Sequence, residues 1–215
     1  MKNLVNFLQE WIAAGGRRIG QVVILRRDDA FSLRHADDAN AEGLAIHHGP
    51  QAARDIAKFD AAGAFRPLKS APSLIRGWEV ILSGWGDLAL ALDFLHPAAW
   101  ANWICFARGE AVPTALRDTL NRQTGIYQIT AQITDAEAQS LVARTCRSDG
   151  KCLRRILWPV AQGTALSSLP PEKCTISAPA DEVPLLCLEA CPLLIGGARR
   201  VVRSRTPQVQ PGEHD

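Results

Sequence analysis

The sequence lacks several features that would assign it to a common class of protein. No uninterrupted apolar run reaches the roughly 20 residues that span a bilayer, so we expect no membrane association. The formal net charge is only +2 and the basic residues are spread along the chain, which argues against nucleic acid as a partner. Glycine-rich phosphate loops, serine-nucleophile elbows, convincing carboxylate pairs and internal repeats are also missing.

The composition is that of an ordinary globular protein with one large domain or two small ones. The chain has 215 residues, of which 47% are hydrophobic and 21% are charged. These proportions are sufficient to build substantial cores. Residues 1–18 interrupt their apolar positions with polar and acidic side chains, unlike a signal peptide. We therefore expect a cytoplasmic protein, in which metal binding or burial explains six cysteines better than disulfides do.

The periodicity of the first half predicts a small α/β domain. A helical apolar face ends at Gly15, and the β-branched residues 19–25 are followed by a turn at Asp28 and a second alternating segment, which together predict a β-hairpin. Residues 78–82 predict a further strand. A later helix is expected to begin at Pro97, because a proline amide needs no partner in the first helical turn.

The second half is predicted to be mainly helical. Residues 125–133 are expected to be extended and to precede a helix with a capping box formed by Thr134 and Glu137. That helix should end near Cys146. The proline- and serine-rich residues 162–184 are predicted to form a loop.

Four of the six cysteines form two pairs in this half of the chain. Cys146 and Cys152 lie in CRSDGKC, and Cys187 and Cys191 lie in CLEACP. Two such pairs, separated by a long excursion, supply the four sulfurs required by a cubane iron-sulfur cluster or by a tetrahedral zinc ion.

The surroundings of the cysteines favour an anionic centre. A helix beginning at Pro192 would point its positive end at Cys191. The first pair is crowded by basic residues: Arg144, Arg147, Lys151, Arg154 and Arg155. The five residues between Cys146 and Cys152 make a wider loop than a zinc knuckle, which favours a cluster. A zinc site and merely buried cysteines stay open as alternatives, as does a ligand role for Cys174.

The residues around the cysteines resemble a known family. The segments CRSDGKCLRRILW and CLEACPLLIGGARRVV are similar to the four-cysteine iron-sulfur domain that follows the chelatase domain in long forms of bacterial sirohydrochlorin cobaltochelatase. The earlier segments RRIGQVVI, LRHADD, FRPLKSAPSLIRGW and ALDFLHPAAW resemble the stabilising domain that adjoins it.

The residue patterns and the resemblance together predict an α+β protein with a stabilising-type domain over residues 1–122 and a mainly helical cluster domain over 123–203, and we expect a disordered tail over 204–215. The resemblance covers about residues 17–202. It also implies that the ligands of a [4Fe-4S] cluster are four cysteines: Cys146, Cys152, Cys187 and Cys191.

The chain departs from the long-form enzymes because no segment is left over to build a chelatase domain. The first hypothesis is therefore an iron-sulfur protein accessory to tetrapyrrole or cobalamin biosynthesis, acting with a separately encoded chelatase or a related enzyme. A second is a redox or metal-insertion enzyme that binds a tetrapyrrole itself. A third is a zinc-stabilised interaction module.

Other candidate groups have simpler explanations. His47 and His48 are adjacent, and neighbouring strand residues point to opposite faces, so a shared metal is less expected than exposure to solvent. His35 could transfer protons but also fits the end of a hairpin, and His96 fits a helix end.

A basic segment before residue 78 could bind the carboxylates of a macrocycle. Arg66, Lys69 and Arg76 lie in this segment, and Trp78 follows it as a stacking partner. The simpler interpretation is a set of surface charges beside a core tryptophan.

Overall fold

The computed structural model describes residues 2–28, 30–66, 73–146, 152–160 and 180–205. The fold is α+β, as the sequence predicts, with a mixed six-stranded sheet in the first half and helices around a second core. None of the described helices has the length and apolar composition needed to cross a membrane.

The first half contains α1 (Lys2–Ala13), β1 (Arg18–Ile19), β2 (Val22–Arg27), β3 (Ala30–His35), β4 (Ala45–His48), α2 (Pro50–Ile56), β5 (Trp78–Leu82), α3 (Trp85–Leu95) and α4 (Ala99–Ala107). The second half contains α5 (Leu116–Asn121), a 3-10 helix (Gly125–Gln132), α6 (Asp135–Cys146), β6 (Arg155–Ile156), β7 (Glu182–Val183), β8 (Leu186–Cys187) and α7 (Pro192–Arg205). The sheet order is β4-β5-β3-β2-β1-β7, and β6 pairs separately with β8.

The predicted hairpin is confirmed, with one change at its start. β2 and β3 pair antiparallel. The turn between them contains Asp28, whose φ of 46° lies in the left-handed region. The predicted first strand, residues 19–25, is interrupted at Gly20, where a φ of 55° turns the chain between β1 and β2. A Cβ at this position would lie 2.8 Å from the Leu185 side chain, so the close approach also requires glycine.

The second half of the chain contributes an edge strand to the first-half sheet. β7 pairs parallel with β1, with Arg18 opposite Glu182 and Ile19 opposite Val183. Val183 and Leu185 are buried in the first core. The prediction of a loop over 162–184 is therefore wrong for residues 182–183. These residues form a strand because an unpaired sheet edge is available to them. Residues 162–179 lie outside the described part.

Two further elements differ from the sequence prediction. The helix expected from Pro97 begins at Ala99, because Ala98 adopts a left-handed φ of 57° and its amide donates to the Asp93 carboxylate at 2.9 Å. Residues 125–133, expected to be extended, form a 3-10 helix. The Thr130 hydroxyl stabilises that helix by donating to the backbone oxygens of Tyr127 and Leu120.

The predicted capping box is confirmed at the start of α6. The Thr134 amide donates to the Glu137 carboxylate at 2.8 Å, and the Glu137 amide donates to the Thr134 hydroxyl at 3.3 Å. As predicted, α6 ends at Cys146. α7 begins at Pro192, also as predicted, but extends to Arg205, two residues into the expected tail; residues 206–215 lie outside the described part.

The contact between the turn at Gly20 and the segment after β7 should be sensitive to an added methyl group. Gly20→Ala imposes a left-handed backbone that costs about 1–2 kcal/mol, and crowding against Leu185 and His96 adds about 1–3 kcal/mol. Gly43→Ala is the control, because Gly43 also has a positive φ but no heavy atom within 4 Å of an added Cβ. Urea unfolding should show the larger loss for Gly20→Ala; equal losses would contradict this packing.

Candidate metal centre

The predicted cysteines lie where secondary-structure elements meet around the second core. Cys146 is the last residue of α6 and is buried. Cys187 ends β8 and is opposite Ile156 of β6. Cys191 immediately precedes α7, whose amides at Leu194 and Ile195 donate to its backbone oxygen. These three cysteines belong to the second core or pack against it.

The fourth cysteine, Cys152, is within electrostatic range of Cys187. Burial is the main cause that raises the pKa of the Cys187 thiol, and negative charge on Cys152 and Cys191 raises it further. A bound cation or a cationic cluster core would offset the repulsion between thiolates at these positions. The assignment of the four cysteines as ligands stays a prediction.

A tryptophan that sequence reasoning missed contacts one of these sulfurs. Trp158 is 1% exposed, and its Nε1 donates a hydrogen bond to Cys187 Sγ at 3.2 Å. This contact lowers the pKa of Cys187, opposing the effect of burial. The only sequence signal for this contact is the position of Trp158, a few residues after Cys152 in the segment CRSDGKCLRRILW.

Arg154 places positive charge beside the same cysteines. Its Nη1 donates to the Leu186 backbone oxygen at 3.0 Å and its Nη2 to that of Pro97 at 3.1 Å, so its side chain bridges the two halves of the chain. Its buried Nε has no hydrogen-bond partner among the described residues. The guanidinium also lowers the pKa of Cys187.

A pocket of about 520 Å³ opens next to the second cysteine pair. Its lining includes Arg154, Cys187 and Cys191 from the second half of the chain and Pro97 and Asn102 from the first half. The pocket therefore lies between the first-half helices and the cysteine-bearing segments.

This donor set fits a [4Fe-4S] cluster. The surroundings are those that stabilise a negatively charged thiolate-bound cluster: soft sulfurs, an indole N–H directed at one of them, and a partly buried guanidinium with an unused donor. Among the described residues, no three His, Cys, Asp or Glu side chains form a group that could hold a metal ion, and nothing there supports the zinc alternative. Arg147, Lys151 and Cys174 lie outside the described residues.

The basic segment proposed for a macrocycle does not form a binding surface in the described structure. Arg66 is 3% exposed and donates to the Leu95 backbone oxygen at 2.9 Å. Arg76 forms an ion pair with Asp37, and Trp78 is buried in the first core. The interpretation of Arg66 as a surface charge is also wrong, because the sequence pattern did not show that this side chain points inward. Lys69 lies outside the described residues.

The described histidines lie in or at the ends of secondary-structure elements of the first half. His47 and His48 are exposed on the edge strand β4. His35 ends β3, where its Nδ1 accepts from the Asp37 amide at 3.1 Å, which fits the hairpin-end interpretation. His96 caps α3 and accepts the Gln21 amide at Nε2; burial, aided by the charge of Arg66, lowers the pKa of His96 to about 3.

Comparison with known proteins assigns both halves of the chain. Residues 6–106 match the DR2241 stabilising domain, and residues 108–200 match the 4Fe-4S iron-sulfur cluster binding domain. No curated protein gives a significant match.

A solved structure is similar to nearly the whole chain. It is the crystal structure of DR2241 from Deinococcus radiodurans, a multi-domain protein with structural similarity to chelatases and two additional novel domains. The TM-score is 0.74 at 28% sequence identity, and the match covers 93% of this chain but only 41% of DR2241. The chain thus combines a DR2241 stabilising domain with a 4Fe-4S iron-sulfur cluster binding domain, which confirms the resemblance of its sequence to these two domains.

Proposed function

We propose that this chain binds a [4Fe-4S] cluster through Cys146, Cys152, Cys187 and Cys191 and serves as an accessory protein in tetrapyrrole or cobalamin biosynthesis. The observation that carries the proposal is the Trp158 N–H donated to Cys187 Sγ at a site where Cys152 and Cys191 are also within electrostatic range. A buried indole donor directed at a thiolate is typical of the second shell of a metal centre.

Each part of the site has a defined task under this proposal. When bound, the cluster supplies a one-electron redox couple. Trp158 stabilises negative charge on the Cys187 sulfur, and Arg154 adds a positive charge while fixing Leu186 next to that cysteine. The N-terminus of α7, with its positive end, follows directly after Cys191. These contacts position the sulfurs of Cys187 and Cys191 for cluster binding.

The pathway assignment rests on the similarity to DR2241, which itself resembles chelatases. This chain spans 41% of DR2241. We propose a separately encoded cobaltochelatase, or a related tetrapyrrole enzyme, as the partner.

Cluster binding should depend on the paired cysteines and not on the isolated one. After anaerobic purification, the chain should contain about four irons and four sulfides. Cys187→Ser should lose most of both, because a hydroxyl is a poorer ligand for iron than a thiolate. Cys105→Ser is the matched control, since Cys105 lies in α4, and it should keep the wild-type content. Full iron in Cys187→Ser would remove this ligand from the proposal.

The Trp158 hydrogen bond should raise the reduction potential of the cluster. Trp158→Phe keeps an aromatic ring but removes the donor, so the midpoint potential should fall by roughly 30–60 mV, a three- to tenfold change in a one-electron equilibrium. Trp100→Phe is the control, because the Trp100 indole donates to the Leu4 backbone oxygen, in the first half of the chain. A potential unchanged in Trp158→Phe at full iron content would refute this role.

Association with a chelatase can be tested with purified proteins. The cluster-loaded chain should co-elute under anaerobic conditions with a sirohydrochlorin chelatase encoded in the same genome, and Cys187→Ser should do so less. Independent elution would argue against the partnership. A spectral shift of sirohydrochlorin on adding this chain alone would instead favour the enzymatic alternative.

A further inference from the structure

A second arginine near the cysteines is fully buried, and it comes from the stabilising domain. Arg66 follows the segment after α2 and is 3% exposed. One of its nitrogens, Nη1, donates to the Leu95 backbone oxygen. Its Nε and Nη2 are buried and have no hydrogen-bond partner among the described residues. A buried guanidinium with two unused donors indicates that a negatively charged group belongs beside it.

The described neighbours do not neutralise this charge. Burial is the main cause that lowers the pKa of Arg66, to about 10, and the positive charge of Arg154 lowers it further. The Asp60 carboxylate acts in the opposite direction, but its Oδ1 already accepts the amides of Ala62 and Ala64. Neither Arg66 nor Arg154 forms an ion pair with a carboxylate among the described residues.

The two arginines share the cysteine site as their common neighbour. The guanidiniums of Arg66 and Arg154 donate to backbone oxygens two residues apart, those of Leu95 and Pro97, and Arg154 follows Cys152 by two residues. Arg154 lines the pocket that contains Cys187 and Cys191. Negative charge at these sulfurs would therefore be shared between a cation from each domain.

We propose that Arg66 of the stabilising domain is a charge-compensating residue for the cluster, so that this domain sets the reduction potential of a cofactor bound by the other domain. The inference rests on the proposed cluster. A [4Fe-4S] core with four thiolates is an anion, and one-electron reduction by an external reductant adds one further negative charge without uptake of a proton by Arg66. A fixed cation nearby favours the reduced form over the oxidised form.

The test compares three variants of the full chain, purified anaerobically and titrated with dithionite in the presence of redox mediators. Arg66→Gln should make the cluster about tenfold harder to reduce, a shift of about 59 mV to more negative potential. Arg66→Lys retains the charge and should remain within about threefold of wild type, or about 28 mV. Arg76→Gln is the control, because Arg76 lies on the same connection, is exposed and pairs with Asp37.

The outcomes separate a charge effect from a folding effect. Loss of the cluster in Arg66→Gln with retention in Arg66→Lys also supports the proposal, because Arg66→Lys keeps the positive charge and Arg66→Gln removes it. The proposal is overturned if Arg66→Gln keeps its cluster at the potential of Arg76→Gln, or if Arg66→Gln and Arg66→Lys lose the cluster alike. Wild-type protein without iron and sulfide would instead overturn the proposed function.

Discussion

The short path of the chain from the edge strand β7 to the second cysteine pair connects the first-half sheet to the cysteine site. Residues 182–187 leave the edge of the stabilising-domain sheet, contribute Val183 and Leu185 to its core, and reach Cys187 at the end of β8. Because these steps take only a few residues, pairing of β7 with β1 fixes where Cys187 can lie. The cysteine site is therefore built partly by the stabilising domain.

Electrostatics link the same two domains. Arg154 donates to backbone oxygens on both sides of the junction, and Arg66 brings a buried charge from the stabilising domain towards it. Two like charges near each other, one buried and one partly buried, are costly unless an anion lies between them. An anionic cluster would offset this cost, so cluster binding and docking of the two domains should stabilise each other. The Trp158 N–H, which belongs to the cluster domain, also stabilises negative charge at the cysteine site.

Local signals made part of this account predictable from sequence. The capping box at Thr134, the hairpin turn at Asp28 and the start of the terminal helix at Pro192 all depend on neighbours within a few residues. The two cysteine pairs were visible for the same reason. Strand β7 was missed because its two residues acquire strand geometry only from β1, which is far away in the sequence. The inward orientation of Arg66 and the Trp158 contact with Cys187 likewise depend on tertiary packing that no local pattern encodes.

Electron paramagnetic resonance tests directly whether the two cysteine pairs hold a redox-active [4Fe-4S] cluster. Anaerobically purified protein should be silent as isolated and, after reduction with dithionite, should give a fast-relaxing signal of about one spin per chain. That signal should be absent from Cys187→Ser. A reduced sample without this signal, containing about one zinc per chain in place of iron and sulfide, would contradict the account.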